Sequence, residues 1–184
     1  MKRRRGFSLV EAAVVLGIVG LVVGGIWAVA ATTRASMQAN QLHQQTLNLA
    51  KSVRDYYAAR ALPSSAGALT TTLRTLGRFP EEMCPATCVS GTITTVYNAY
   101  GGTTTVAIPA LTAPINQFNV TYGSIDEKGC IQLGMMLSAR SAENGLVSYD
   151  AGTTRTTFPI PLATIQGDCA ATGNTITVAL KIRI

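Results

Sequence analysis

The feature that most constrains this chain is a run of twenty uncharged, mainly apolar residues, Ala12–Ala31. A helix rises about 1.5 Å per residue, so the run matches the roughly 30 Å hydrocarbon core of a bilayer. It contains no proline, and Gly17, Gly20 and Gly24 are spaced so that they lie roughly on one face. Small residues on one face let helices approach closely. The run therefore predicts a membrane-spanning helix that is also suited to packing against other helices.

The positive charge of the chain is concentrated ahead of this run. The formal net charge is +6, and residues 2–5 supply four of these charges, so that the rest of the chain carries +2. Basic residues before an apolar span hold the N-terminus in the cytoplasm. Everything after Ala31 would then lie outside the membrane. A mildly basic remainder gives no case for a nucleic-acid partner.

The first eleven residues read MKRRRGFSLVE, a basic run that ends at Gly6 and is followed by Phe7. This motif resembles the leader of type IV pilins. The resemblance implies that a prepilin peptidase cleaves between Gly6 and Phe7 and methylates the new amine of Phe7. The fifth mature residue in that family is a glutamate, and Glu11 is the fifth residue counted from Phe7.

A physical argument supports an assembly role for Glu11. A carboxylate in an apolar helix costs about 2.5 kcal/mol or more at mid-bilayer unless it meets a cation. The Phe7 amine of a neighbouring subunit would be such a cation, and the pair would set the axial register between subunits. Two alternatives stay open: a secretory signal peptide cut at the A-x-A site Ala28–Ala30, and a plain membrane anchor for an exported domain.

The helix is expected to continue beyond the membrane. No proline or glycine occurs between Arg34 and Leu62, and an apolar stripe recurs at spacings of three and four. The stripe consists of Leu42, Thr46, Leu49, Val53 and Tyr56. We therefore predict one helix from Phe7 to about Ala61, ended by the turn residues 63–67. The predicted organisation is a cleaved leader at 1–6, a membrane or filament-core half-helix at 7–31, an amphipathic half-helix at 32–62 and a globular domain at 63–184.

The composition after Thr70 favours strands, with many Thr, Val, Ile and Gly residues. A short helix is predicted at Leu69–Leu76. The predicted strands are Ile93–Tyr97, Thr103–Ile108, Phe118–Tyr122, Leu146–Tyr149 and Thr175–Ile184. The last alternates apolar and polar residues, which indicates one covered face. The fold class is thus α+β: a long N-terminal helix packed against an antiparallel sheet, as in the αβ-roll of pilins.

A second helix is predicted within the strand-rich region. Ser124 and Glu127 have the spacing of a capping box. Ile131, Met135 and either Leu137 or Ala139 would then face the core. After this helix, residues 151–157 are a candidate for an exposed loop tip.

The four cysteines are Cys84, Cys88, Cys130 and Cys169. An even number in an exported domain suggests disulfides, and four cysteines permit three connectivities, between which the sequence does not choose. A zinc site with all four as ligands is the rival interpretation. The order of strand, cysteine-bearing helix, long loop, cysteine and last strand is similar to the C-terminal region of type IVb pilins, particularly those of conjugative thin pili. That resemblance implies a structural role for Cys130 and Cys169 and an exposed loop between them.

The sequence carries no recognisable catalytic or phosphate-binding motif. His43 is the sole histidine, and no nucleophile or acid partner for it is identifiable. We therefore predict a non-enzyme without cofactor or metal. The resemblance implies a pilus subunit whose partners are the prepilin peptidase, other copies of itself and the pilus assembly machinery. It would sit in the inner membrane before assembly and in an extracellular filament afterwards. A pseudopilin, a minor pilin and a membrane-anchored binding domain stay open as alternatives.

Overall fold

A computed structural model describes residues 9–91, 93–170 and 173–184. The chain forms two compact units, one that ends at Ser36 and one that comprises Met37–Ile184. The first helix, α1, spans Leu9–Ala58 and contributes residues to both units. It ends three residues before the predicted Ala61, where the amide of Arg60 donates to the carbonyl of Tyr57 in a turn. Leu62 precedes a proline and is therefore biased away from helical conformation.

The predicted apolar stripe on α1 is buried within the second unit. Leu42, Thr46, Leu49 and Val53 are completely inaccessible to solvent, whereas Tyr56 is only partly buried. Tyr57 takes the buried position instead, with the two rings edge to face at 4.9 Å between centroids. The spacing of three and four along the helix accounts for this continuous buried face.

A six-stranded antiparallel sheet forms the framework of the second unit. The strands are β1 (Gly67–Ala68), β2 (Thr104–Ile108), β3 (Gln117–Ile125), β4 (Leu146–Asp150), β5 (Thr154–Arg155) and β6 (Asn174–Lys181). Their order across the sheet is β1-β2-β3-β6-β4-β5. The helices between them are α2 (Thr70–Thr75), α3 (Ala86–Val89), α4 (Glu127–Ala139), α5 (Ser141–Asn144) and α6 (Leu162–Asp168).

One hydrophobic core joins the sheet to the helices. The central strands β3 and β6 contribute Phe118, Val120, Tyr122, Ile176, Val178 and Leu180, all at most 1% exposed. They belong to the same buried cluster as the stripe of α1 and Leu133 and Leu137 of α4. Thr46 and Tyr122 also join α1 to β3 by a hydrogen bond of 2.8 Å between their hydroxyls. The predicted α+β class, with a long helix and an antiparallel sheet, is confirmed.

Two of the predicted strands need correction. Residues 93–97 are not a strand, and Tyr97 forms only an isolated bridge with Thr103. Backbone hydrogen bonds connect the segment to the preceding loop instead, for example from the amide of Tyr97 to the carbonyl of Met83. The last strand ends at Lys181 rather than Ile184, because Arg183 pairs its amide with the side chain of Asn116. The two-residue strands β1 and β5 were not predicted.

The start of α4 also differs from its prediction. Ser124 belongs to β3 and has a φ of 59°, so it forms no capping box. Asp126 caps the helix instead, and its Oδ1 accepts from the amide of Gly129 at 2.7 Å. The buried face carries Cys130, Leu133 and Leu137, while Met135 is 43% exposed.

This shift rotates the predicted face of α4. Leu137 is buried as expected and Ile131 is partly buried, whereas Ala139 is exposed. The spacing of Cys130, Leu133 and Leu137 is that of one helix face. A disulfide at Cys130 and the core contact of Leu133 thus decide which side of α4 faces inward.

Candidate assembly and anchoring site

The N-terminal unit exposes an apolar helix surface. The segment Leu9–Trp27 of α1 is long and apolar enough to cross a membrane, with a mean hydropathy of 2.5 over 19 residues. Its large side chains are uncovered, as Leu9 at 87%, Leu21 at 80% and Trp27 at 73% exposure illustrate. Apolar surface of this extent needs cover from lipid or from other apolar helices.

Glu11 lies in the first turn of α1, where its carboxylate is exposed. It is the only charged residue between Leu9 and Thr33. A carboxylate in the first turn is favoured by the partial positive charge of a helix N-terminus. This local effect is small, and the exposed carboxylate can still pair with a cation. The predicted processing residues Gly6 and Phe7 lie outside the described residues.

The glycines of this segment have open space beside them in the part of the chain that the structure describes. A Cβ added at Gly17, Gly20, Gly24 or Gly25 would meet no heavy atom within 4 Å. Glycine weakens a helix by about 1 kcal/mol relative to alanine. Open space at small residues is compatible with close approach by another helix.

A disulfide fixes the C-terminal region of the globular unit. Cys130 on α4 is bonded to Cys169, which follows α6, with 5.9 Å between their Cα atoms. Tyr149 of β4 also contacts α4, because its hydroxyl donates a hydrogen bond to the carbonyl of Cys130 at 2.8 Å. Burial raises the pKa of Tyr149 well above its ordinary value. A cross-link and a buried hydrogen bond thus hold α4, α6 and the sheet together.

Gly134 lets α4 approach this junction closely. A Cβ at this position would lie 3.0 Å from Cζ of Tyr149 and 3.1 Å from Cγ2 of Ile165. Such contacts are tighter than ordinary packing allows, so a side chain would push α4 away from β4 and α6.

The loop between the two cysteines carries a charged pair. Arg155 of β5 contacts Asp168 in a bidentate manner, with Nε–Oδ2 at 2.7 Å and Nη2–Oδ1 at 2.6 Å. The hydrogen bonds from Arg155 lower the pKa of the Asp168 carboxyl. Residues 152–157 are exposed apart from the partly covered Arg155. The predicted tip, residues 151–157, is therefore largely at the surface, although Ala151 is buried. The Arg155–Asp168 pair joins it to α6, and β5 pairs with β4.

The second disulfide joins Cys84 to Cys88 in the loop around α3, with 5.2 Å between their Cα atoms. The buried Arg74 of α2 donates from Nη1 to the carbonyl of Cys88 at 2.7 Å. The four sulfurs therefore form two separate bonds and do not converge as a zinc site requires. Among the residues that the structure describes, no three His, Cys, Asp or Glu side chains could hold a metal ion.

Comparison with known proteins shows the family. Residues 29–182 match the family described as PilS N terminal, and residues 1–27 match the prokaryotic N-terminal methylation motif. The chain therefore belongs to the PilS family of type IV pilins. Its fold is of the type IVb kind: it is similar to the crystal structure of the type IV b pilin from Salmonella typhi, with 21% identity and a TM-score of 0.59. That match covers 77% of this chain and 98% of the other. No curated protein sequence matches the chain.

Sequence reasoning missed the polar residues that organise the globular unit. Asp126, Arg155 and Asp168 were not singled out as structural partners, and Asn174, buried on β6, bonds to the carbonyls of Ile125 and Ala170. The sequence signal that was available is the Asp-x-x-Gly spacing at the start of α4, in which Asp126 is a good N-cap residue. The other contacts join residues far apart in the chain or across a turn and leave no local pattern.

Proposed function

We propose that this chain is the subunit of a type IV pilus, cleaved between Gly6 and Phe7 by a prepilin peptidase and polymerised through its N-terminal helix. One observation carries the proposal: the large apolar side chains of Leu9–Trp27 are exposed in the part of the chain that the structure describes, and this segment lies within the match to the methylation motif. A bilayer covers these side chains before assembly, and the helices of other copies cover them afterwards.

The proposed order of events follows from this change from lipid contacts to contacts with the helices of other copies. Residues 7–31 cross the inner membrane once with the N-terminus in the cytoplasm, as residues 2–5 favour. The leader, residues 1–6, is removed, and the assembly machinery transfers the subunit into a filament. Residues 32–62 then connect the filament core to the globular domain at 63–184, which lies at the outer surface.

Glu11 sets the register in this proposal. Its carboxylate pairs with the methylated Phe7 amine of a neighbouring copy, and each charge neutralises the other in an apolar environment. An unpaired charge there costs several kcal/mol, so subunits that are out of register are strongly disfavoured.

Mass spectrometry of the mature N-terminus tests the processing step. We expect the chain to begin with methylated Phe7. A chain beginning at Ala31 would show signal-peptidase cleavage, and an intact Met1 would show a plain anchor. Either result would overturn the proposal.

Replacing Glu11 tests the assembly step. For Glu11→Gln we expect the yield of sheared filaments to fall by about tenfold or more, since the register pair is lost. Glu82→Gln removes a carboxylate from an exposed site of the globular unit and is the matched control. Membrane levels of both variants should equal the wild type. Normal filament yield from Glu11→Gln would contradict the pairing.

A pseudopilin or minor pilin is the second candidate, because the methylation motif does not separate these classes. The C-terminal region fastened by Cys130–Cys169 and the similarity to a type IVb pilin favour a pilus subunit. The exposed residues 152–157 are then available for adhesion, aggregation or conjugative contact. Electron microscopy of sheared cells distinguishes the two: a major pilin gives long surface filaments that contain this chain.

A further inference from the structure

A groove in the globular unit has a lining that neither the fold nor the proposed assembly accounts for. It measures about 430 Å³ and lies among His43, Gln44 and Leu47 of α1, Met136 of α4, Arg140 just after α4, and Asn144 of α5. Small-molecule sites have volumes of about 300–1,000 Å³. The groove is therefore large enough to take a small ligand or a single side chain.

The charge in this groove is positive and not neutralised. Arg140 is exposed and forms no ion pair with any carboxylate in the part of the chain that the structure describes. Glu143 precedes Asn144 on α5, but it is exposed and does not line the groove. A guanidinium presents several donors in a planar fork that suits a carboxylate.

Two further side chains of the groove have unused hydrogen-bonding atoms. Nδ1 of His43 and Nδ2 of Asn144 are buried and have no hydrogen-bond partner. A half-turn about the Cβ–Cγ bond exchanges the two edges of an imidazole or an amide. Because no hydrogen bond holds these atoms in place, either side chain can turn a donor toward an anion in the groove. Buried polar atoms are usually paired. Among the described residues, six buried side-chain atoms have no partner, and these two are the ones on residues that line the groove.

The remaining lining includes the polar Gln44 and the apolar Leu47, Met136 and Ala139. Leu47 of α1 and Met136 of α4 are partly buried. Methionine adapts its shape to varied apolar groups. The groove thus combines donors with an apolar wall for a few carbon atoms.

We propose that this groove binds a carboxylate carried on a short apolar stem, with Arg140 as its ion-pair partner and His43 and Asn144 as further donors. Two sources have this chemistry: a free short-chain carboxylate and the glutamate side chain of another copy of this chain. The site does not depend on filament assembly, because all of its residues lie in one globular unit.

The proposal includes a pH dependence. Burial and the charge of Arg140 lower the pKa of His43, so the imidazole is neutral at pH 7. Arg140 lines the groove together with His43 and is the charge that contributes to this shift, and a bound carboxylate offsets its effect. Protonated His43 adds a second cation to the site. Binding should therefore strengthen as the pH falls through the pKa of His43.

The sole histidine makes a direct experiment possible. The full-length chain is labelled with ¹³C-histidine, held in non-ionic detergent and titrated with sodium butyrate at constant ionic strength. Butyramide, which has the same shape and no charge, is the ligand control. We expect a saturable shift of the His43 resonance, with a raised His43 pKa, for butyrate alone. This comparison uses the unaltered chain and so does not depend on the folding of a variant.

Two variants then test whether Arg140 binds the carboxylate. Arg140→Gln should weaken butyrate binding by about tenfold, as expected for loss of a charge-assisted hydrogen bond. Lys128→Gln removes the same charge from an exposed position of α4 away from the groove and should leave binding unchanged. Absence of saturation, an equal response to butyramide, or an equal loss in both variants would overturn the proposal.

Dilution distinguishes the two sources. If the carboxylate belongs to another copy, the His43 resonance of the concentrated chain starts at the bound position without butyrate and moves toward the free position on dilution. A resonance that is independent of protein concentration, but still saturates with butyrate, assigns the site to a free carboxylate.

Discussion

At the scale of single residues, Thr46 shows how a polar group can belong to an apolar stripe. Its hydroxyl donates to the carbonyl of Leu42 one turn earlier, at 2.8 Å. The hydroxyl hydrogen is thereby used, so the 2.8 Å contact with Tyr122 must be a donation from the tyrosine to Thr46. Both side chains are completely buried, and burial raises the pKa of Tyr122 far above its ordinary value. The spacing along α1 revealed the position of Thr46, but not a partner 76 residues away.

The two ends of this hydrogen bond should respond unequally to substitution. Thr46→Val keeps the shape but leaves the Tyr122 hydroxyl buried without an acceptor, which costs about 1–3 kcal/mol in the free energy of unfolding. Tyr122→Phe removes the donor and leaves Thr46 with its bond to Leu42, so we expect a loss of about 1 kcal/mol.

Denaturant unfolding of the full-length chain in detergent, followed by near-ultraviolet circular dichroism, measures both values. The double variant is the control: with both hydroxyls gone, it should lose less than the sum of the single variants. Additive losses would show that the two hydroxyls do not interact.

At the scale of elements, the sequence predicted which segments become regular structure better than it predicted their ends and faces. The helix α4 was expected from its composition, yet its cap is Asp126 rather than Ser124. Local patterns specify helix and strand, whereas the exact start depends on where the chain leaves β3. The segment 93–97 has residues typical of a strand, but its backbone forms hydrogen bonds with the loop that the Cys84–Cys88 disulfide closes. Hydrogen bonds to residues outside the segment thus override its local preference for a strand.

The two disulfides should differ in their contribution to stability. Cys130 and Cys169 are separated by 39 residues, and Cys84 and Cys88 by four. In the loop-entropy description, the long cross-link stabilises by roughly 4 kcal/mol and the short one by roughly 2 kcal/mol. Replacing both cysteines of a pair by alanine should therefore lower the melting temperature more for Cys130–Cys169. Thermal melts of the two double variants provide the comparison, each serving as control for the other. An equal or reversed order would indicate that native packing, rather than chain entropy, dominates.

At the scale of the whole molecule, the apolar run lies entirely within the first of the two compact units. The apolar run predicted a membrane-spanning helix, and the large side chains of Leu9–Trp27 are exposed in the part of the chain that the structure describes. The sheet order β1-β2-β3-β6-β4-β5 was beyond prediction, because the last strand inserts between β3 and β4. Such pairings join residues that no periodicity connects. The His43 groove was missed for the same reason, since its walls come from three separate helices.

The glycines of the N-terminal unit allow a test that separates the single chain from its assembly. Gly20→Ala should leave the isolated chain in detergent as stable as the wild type, or slightly more stable, because a Cβ there meets no atom of the described residues within 4 Å. In the proposed filament, the added methyl group would hold neighbouring helices apart, and the yield of sheared filaments should fall severalfold. Gly67→Ala is the matched control, since its Cβ also has open space but lies on β1. Wild-type yield from Gly20→Ala would contradict close helix approach at this face.

The shortness of β1 and β5 affects how neighbouring globular domains can contact each other. These strands are the two borders of the sheet, and each is only two residues long. Unpaired sheet borders recruit strands from other chains, and a short or charged border resists this. Here one border carries Arg155, and neither offers more than two residues to a foreign strand. In the proposed filament, neighbouring globular domains can therefore contact each other without their sheets joining into one continuous β-structure.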